Sequence, residues 1–329
     1  MQFIDPEQVH IKIALKNHKD NLLPVLNARI NSSTHYFIRP FLQKNIERIL
    51  IGKPSELIKI QDNLFKLKPK FKVYFEEKRK SKHFNKSIRI IYSQYLTELL
   101  RIIDYDTFAN KKKNSDYDTY KLAQNLNINT CVYCNRLYTK TVVNTNDKGK
   151  TIKLTRPTFD HWFPQSKNPL LSLSFYNLIP SCSVCNSSLK SSGDMTLEKH
   201  LHPYIDENIN FQFSYKLKAI GKYQIMITNF GDDINTRSRN TSDFFKLKEV
   251  YKTHLDEIDD LVKIKKAYSV TYLRNLKDFF KGSRQLSNDE IYRLAFGTEI
   301  NERKFEKRPL SRMKRDILVE LGIIRKKVK

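Results

Sequence analysis

The sequence predicts an α+β protein, mainly helical, with a short strand-rich centre and added β-hairpins. Three observations predict it. Apolar residues recur at helical spacing on both flanks, as in Ile91, Tyr95, Leu96, Leu99, Leu100 and Ile103. Toward the middle the pattern changes to short alternating runs separated by glycine-bearing turns, as in Phe211, Phe213, Tyr215 and Leu217. All four cysteines fall in two C-x-x-C pairs, Cys131/Cys134 and Cys182/Cys185, a pattern that brings four soft ligands to one point.

Residues 1–125 read as a helical, basic N-terminal region. Ile11 to Leu26 has helical apolar spacing and should break at Pro24, which lacks the amide hydrogen a helix interior uses. Ile46 to Ile51 should end at Gly52 and Pro54, with a restart at Ser55-Glu56-Leu57-Ile58. Lys66 to Lys72 and Lys78 to Lys82 interleave cations with Phe65, Phe71, Tyr74 and Phe75. Such interleaving can hold nucleic-acid strands, but a half-buried element with a solvated face is the preferred reading. Ile88 to Ile103 reads as a helix, residues 110–116 as a polar loop, and Tyr117 to Leu126 as a short helix leading into Cys131.

Residues 126–205 carry the chemistry. Two C-x-x-C knuckles offer four thiolates to a tetrahedral structural zinc. The alternatives are two disulfides, a redox pair or buried free thiols. The opening Met1 to Pro6 shows no apolar signal core, and a redox motif explains one pair only, so zinc is preferred. Leu137 to Val143 and Thr151 to Leu154 should form a structural hairpin about the turn Thr145 to Gly149. Asp160 offers a hard oxygen suited to Mg²⁺ or Mn²⁺. His161, its neighbour, should point to the opposite face of an extended strand and can take a proton from water near neutral pH. Asn186 directly follows the last cysteine, where the knuckle should turn into a helix.

The order Cys131-Cys134, Asp160-His161, Asn177, Cys182-Cys185-Asn186 resembles the HNH, or ββα-metal, nucleases, especially those braced by two zinc knuckles. The resemblance covers about 131–203. It implies that Asp160 and Asn186 hold one catalytic divalent metal, that His161 is the general base, and that Asn177 steadies the loop and the base. It also implies a phosphate contact for Lys190, and products with a 5′-phosphate and a 3′-hydroxyl. Two departures stand out: residues 165–176 contain no glycine, and Asn186 to Lys190 is one residue longer than the frequent spacing. More loosely, the layout is similar to HNH components of bacterial anti-phage defence, often paired with an ATPase partner. Leu201-His202-Pro203-Tyr204, the hairpin-and-helix end of the chain and Arg308-Pro309-Leu310 point that way.

The charge agrees with a nucleic-acid partner. Lys+Arg number 60 against Asp+Glu 35, a formal +25, and such a surface concentrates phosphate polyanions. No apolar run approaches the roughly 20 residues needed to span a bilayer, so the expected location is cytoplasmic, away from membranes. The expected function is a metal-dependent endonuclease acting on DNA, with RNA left open as the alternative substrate. A zinc-braced nucleic-acid-binding or adaptor protein without chemistry is the alternative.

Residues 206–329 read as a β-hairpin plus a helical C-terminal region. His200 and His202 lie two apart and suit a local structural role better than a metal. Phe211 to Leu217 and Tyr223 to Ile227, joined at Gly221-Lys222, should form a hairpin extending the nuclease sheet. From Thr241 or Ser242 as N-cap, Leu247, Val250, Tyr251, His254, Leu255, Ile258, Leu261 and Val262 should trace one helix face. Ser287-Asn288-Asp289-Glu290 is a capping box for a helix ending at Gly297. Met313 to Leu321 is a last helix closed by Gly322, before the basic tail 325–329.

Overall fold

The computed structural model describes the chain except residues 77–85, 111–115, 148, 150, 192, 230–232, 268–274, 276–277, 279–285 and 325–329. The basic run Lys78 to Lys82, most of the expected 110–116 loop and the basic tail therefore lie outside the described residues. What is described is α+β, with many helices and three small antiparallel sheets.

Among the described residues, seven helices precede the centre: α1 (Val9–Asn31), α2 (Ile38–Ile51), α3 (Pro54–Leu67), α4 (Pro69–Glu76), α5 (Lys86–Ile102), α6 (Tyr105–Ala109) and α7 (Thr119–Leu126). Contrary to expectation, α1 continues through Pro24. Its buried stripe of Ile11, Ala14, His18, Leu22, Leu26 and Ile30 explains why. Burying each large apolar side chain is worth about 1.5–3 kcal/mol, so the stripe outweighs a proline cost of about 3 kcal/mol. Gly52 and Pro54 divide α2 from α3 as expected. The stripe of α5 is narrower than the sequence suggests. Tyr95, Leu96, Leu99, Ile102 and Ile103 are buried, whereas Ile91 and Leu100 stay exposed. Leu100 lies about 100° round the helix from Leu99, at the margin of the face.

The first central hairpin is β1 (Val142–Thr145) with β2 (Thr151–Thr155), and both strands are largely exposed. It starts later than Leu137 because the residues after Cys134 close the knuckle instead. The Cys131 amide donates to the Leu137 carbonyl (3.0 Å), the Thr139 amide to the Asn129 carbonyl (2.8 Å), and Tyr138 makes a lone bridge with Thr130. Next come β3 (Thr158–His161) and β4 (Leu178–Ser181), paired antiparallel, and then a π-wound helix, Val184–Lys190.

The third hairpin, β5 (Phe211–Ala219) with β6 (Lys222–Asn229), turns at Gly221 with φ +69° and forms its own sheet. It does not extend the β3–β4 sheet. The single long helix expected after Ser242 is three: α8 (Asp233–Phe244), α9 (Leu247–Tyr251) and α10 (Leu255–Ala267). Thr241 and Ser242 are buried inside α8 rather than capping a helix, and the Thr241 hydroxyl accepts from the Leu201 amide at 2.9 Å. The break falls where Phe245 turns inward to stack on Tyr133 at 4.1 Å, with Lys246 left-handed behind it. Helix α11 (Asn288–Phe296) has both bonds of its capping box and ends at Gly297. Helix α12 (Ser311–Glu320) packs on β5, where Asp316 accepts from the Phe213 amide at 3.0 Å. One continuous apolar cluster runs from Met1 to Ile324. No described helix is long and apolar enough to cross a membrane.

Candidate active site and metal centre

The first site is the cysteine cluster. Cys131, Cys134, Cys182 and Cys185 are buried and free, and their sulfurs all lie within 4.8 Å of one another. The Cys134 and Cys182 sulfurs are 3.9 Å apart. Tetrahedral zinc with Zn–S bonds of about 2.3 Å places sulfurs about 3.8 Å apart, so this donor set fits a metal ion such as zinc. Backbone amides support the sulfurs: Arg136 N–H donates to Cys134 Sγ and Cys185 N–H to Cys182 Sγ, both at 3.4 Å. Burial pushes the Cys131 thiol well above its usual value. Gathering four sulfurs there favours a cation that can take them as thiolates.

The first knuckle reaches outward in two directions. Tyr133, between its cysteines, donates from its hydroxyl to Asp160 Oδ2 at 2.5 Å. Asn135, just after Cys134 and left-handed at φ 52°, donates to the carbonyls of Phe305 (2.9 Å) and Arg308 (3.1 Å). Its own carbonyl accepts from the Leu310 amide at 2.6 Å. Tyr251 donates to the Cys134 carbonyl at 2.5 Å. The Gln2 amide donates to the Val132 carbonyl at 2.7 Å, so a loop carrying two cysteines is fixed by contacts from both ends of the chain.

The second site begins on β3. Asp160 pairs in register with Ile179 and His161 with Leu178, so their side chains leave opposite faces of the strand, as expected. Asp160 is 3% exposed. Both its oxygens accept from Lys190 Nζ at 2.9 Å, and the same ammonium donates to the His161 carbonyl. Lys190 is therefore turned inward, and in this structure its ammonium faces Asp160 rather than solvent. The π-wound turn explains how. Ser191 N–H bonds back five residues to the Asn186 carbonyl, and this wide turn takes up the extra residue between Asn186 and Lys190. Burial pulls the Lys190 ammonium below its usual value, while Asp160 opposes that shift.

On the other face, His161 Nε2 lies 2.9 Å from the Ser172 carbonyl. A carbonyl can only accept, so Nε2 carries the hydrogen and Nδ1 keeps a free lone pair. Tyr105 packs edge-on against the ring at 4.4 Å. Burial holds the imidazole below its ordinary value, outweighing the Ser172 bond and Asp160, so the ring is neutral at neutral pH.

Asn177 is fully buried and holds the loop that supplies Ser172. Its Oδ1 accepts from the Phe163 amide (2.7 Å), and its Nδ2 donates to the carbonyls of Leu171 (2.9 Å) and Phe163 (3.3 Å). Helices α1 and α2 hold the same loop. His18 donates through Nε2 to the Leu173 carbonyl (2.8 Å), and Ser174 donates to the Ile49 carbonyl (2.5 Å). Short 3₁₀ turns at Pro169–Leu171 and Phe175–Asn177 make the bends, so the loop turns without glycine. Asn186 is half-buried in the first turn after β4, and its side-chain amide makes no hydrogen bond among the described residues.

A carboxylate has about four lone-pair positions, and Tyr133 and Lys190 occupy three on Asp160. One remains, together with the uncommitted Asn186 amide oxygen. Mg²⁺ is commonly held by one or two protein oxygens while keeping several waters; here the Lys190 ammonium already lies on both Asp160 oxygens and opposes a second cation. His202 is buried, accepts from the Tyr204 amide at 3.2 Å and packs on Trp162 at 4.7 Å, a local structural role. Tyr133, Tyr105 and the Ser172 carbonyl were not foreseen. A tyrosine inside C-x-x-C was the only hint, since a buried phenol needs an acceptor. Comparison with protein-family models, curated proteins and solved structures gives no match.

Proposed function

We propose that the chain is a metal-dependent endonuclease of the HNH type, hydrolysing phosphodiester bonds of DNA, with RNA the alternative substrate. The observation that carries this reading is His161. Its Nε2–H is fixed on the Ser172 carbonyl, so the Nδ1 lone pair of a neutral ring is free to take a proton. A carboxylate sits on the opposite face of the same strand. The order of antiparallel pair then helix, β3, β4 and Val184–Lys190, supports a ββα-metal motif.

In this reading His161 Nδ1 removes a proton from water as its oxygen attacks phosphorus. The P–O3′ bond breaks, and the 3′-oxygen takes a proton from solvent. Asn177 positions the loop whose carbonyl orients His161. Asp160 and Asn186 would hold one Mg²⁺ or Mn²⁺. Such an ion, when bound, supplies charge stabilisation to the phosphate and leaving oxygen. The four cysteines would hold structural zinc, bracing the knuckle whose Tyr133 donates to Asp160. A role in anti-phage defence beside an ATPase, in the cytoplasm, follows from the resemblance alone.

The test is plasmid nicking with added Mg²⁺ or Mn²⁺ against no added divalent ion. His161→Ala should keep its zinc content and circular dichroism while losing about 10²–10⁴-fold in rate. Undiminished cutting would remove His161 from the mechanism. Metal-independent silence of the unaltered chain, with strand binding retained, would favour the binding-protein alternative.

A further inference from the structure

A second concave site lies on the other side of the first knuckle. Tyr138 and Lys140 form one wall; Arg293 on α11 and the turn 304–308 form the other. The cleft measures about 540 Å³, within the size of sites that take small-molecule-sized ligands. Its charge is one-sided: Lys140, Arg293, Lys304, Lys307 and Arg308 face a single carboxylate, the buried Glu299. Lys307 has an ion pair, with Glu306 at 3.5 Å. Lys140, Arg293, Lys304 and Arg308 have none among the described residues. Four unneutralised cations in one hollow repel one another, and an anion there relieves the repulsion.

Tyr138 adds a second feature. It is 54% exposed, although it sits in a stretch fixed by the knuckle, and Lys140 Nζ lies over one face of its ring at 4.6 Å. An open aromatic face beside unpaired cations is the pairing that single strands use, with bases on rings and phosphates on Lys and Arg. The two arginines can also take phosphate oxygens bidentately. The wall 304–308 does not float. Asn135 Nδ2 donates across the gap to the Phe305 and Arg308 carbonyls, tying them to the residue after Cys134.

We propose that this cleft seats a nucleotide unit of a single-stranded nucleic acid, its base on Tyr138 and its phosphates among Lys140, Lys304 and Arg308. It is a strand-holding site outside the Asp160–His161 pair, and it does not depend on the cleavage reading. The ligand is assigned by the combination of phosphate charge and a stackable base, which an acidic peptide lacks.

The experiment measures binding alone. Fluorescently labelled oligothymidylate is titrated with the full-length His161→Ala chain without added Mg²⁺ or Mn²⁺ and without chelator, so cutting plays no part and the cysteine site is left intact. Lys304→Gln with Arg308→Gln should weaken binding about tenfold or more and lower the salt slope by about one per cation removed. Tyr138→Ala should cost roughly tenfold with oligothymidylate and nothing with an abasic oligomer of equal length. Lys216→Gln with Lys218→Gln, on the exposed end of β5, removes equal charge elsewhere and should leave binding within twofold. The proposal fails if the two pairs of variants behave alike, if Tyr138→Ala is silent with bases present, or if polyglutamate displaces the oligomer as well as unlabelled oligothymidylate does. Zinc content and circular dichroism, measured on each variant, separate a lost contact from a lost fold. Weak binding in every variant with normal nicking by the parent chain would also overturn it, and would leave the catalytic reading intact.

Discussion

Two hairpins of like topology, β3–β4 and β5–β6, differ in what they bury. In β5–β6 the burial alternates at first, with Phe213 and Ile225 inside, and then gives way to exposed ends at Leu217 and Ala219. Its turn is two residues long. Strand β4 is buried at every position, and β3 buries an aspartate beside a phenylalanine. A loop of sixteen residues, 162–177, joins those two strands. One hairpin is held by ordinary side-chain packing. The other is held by polar groups that must each find a partner, because a buried orphan costs about 1–3 kcal/mol or more. The comparison teaches that the polar hairpin is stabilised from outside itself, by the knuckle, by Lys190 and by α1.

The largest expected difference comes from the cysteines. Stripping the metal with a strong chelator, or making Cys182→Ser, should abolish cooperative unfolding of the centre, since structural zinc contributes on the order of 10 kcal/mol. Tryptophan fluorescence follows this directly, as Trp162 sits in the loop after β3. Persistence of the native signal without metal would show that the hairpin needs no outside brace.

Next in size is Lys190→Met. It leaves the Asp160 carboxylate buried with Tyr133 alone, and breaking such a pair costs about 3–5 kcal/mol. Under the proposed function, Mg²⁺ or Mn²⁺ should restore part of that loss by taking the vacated side of Asp160. Denaturation without added divalent ion and in excess Mg²⁺ or Mn²⁺, with no chelator in either, measures both. Equal midpoints in the two conditions would count against Asp160 as a ligand.

A pH effect of similar order belongs to His18, which holds the loop at Leu173. Burial lowers its value to about 4, so the folded chain keeps it neutral while the unfolded chain protonates near 6.5. The contribution is therefore fully present above about pH 6.5 and is lost as pH falls toward 4, on the order of 3 kcal/mol. His18→Gln should flatten the stability profile in that window. In β5–β6 the corresponding changes are smaller at the surface: Leu217→Ala, at a 57% exposed site, should stay within about 0.5 kcal/mol. Phe213→Ala should cost about 3–5 kcal/mol.

The same contrast explains what could be read in advance. Alternation at Phe211 to Ile227 is a direct imprint of a half-buried sheet, so that hairpin was legible from periodicity. So were the capping box at Ser287 and the divide between α2 and α3, because each is a local rule. The cysteine cluster was legible because four thiols in two pairs have few other uses. The β3–β4 hairpin has no alternation, and it was found only through a resemblance. Long-range partners left no trace: Ser172 meets His161 through a backbone carbonyl, which any residue provides. For Lys190 the resemblance implied a phosphate contact, and nothing local reveals the wide turn that swings it inward onto Asp160. Pro24 and the break at Phe245 were misread for one reason: burial against distant residues overrode a local preference.

The residues on either side of Cys134 have one more implication. Tyr133 points to Asp160, Asn135 points to the turn at 305–312, and Tyr251 grips the carbonyl between them. Excising residues 126–205 as a minimal catalytic module would cut away Phe245, Tyr251 and the acceptors of Asn135 together. Such a fragment would carry every side chain of the proposed chemistry and still lack the walls that hold them in place, so any miniaturised version of this protein must retain its far C-terminal turn.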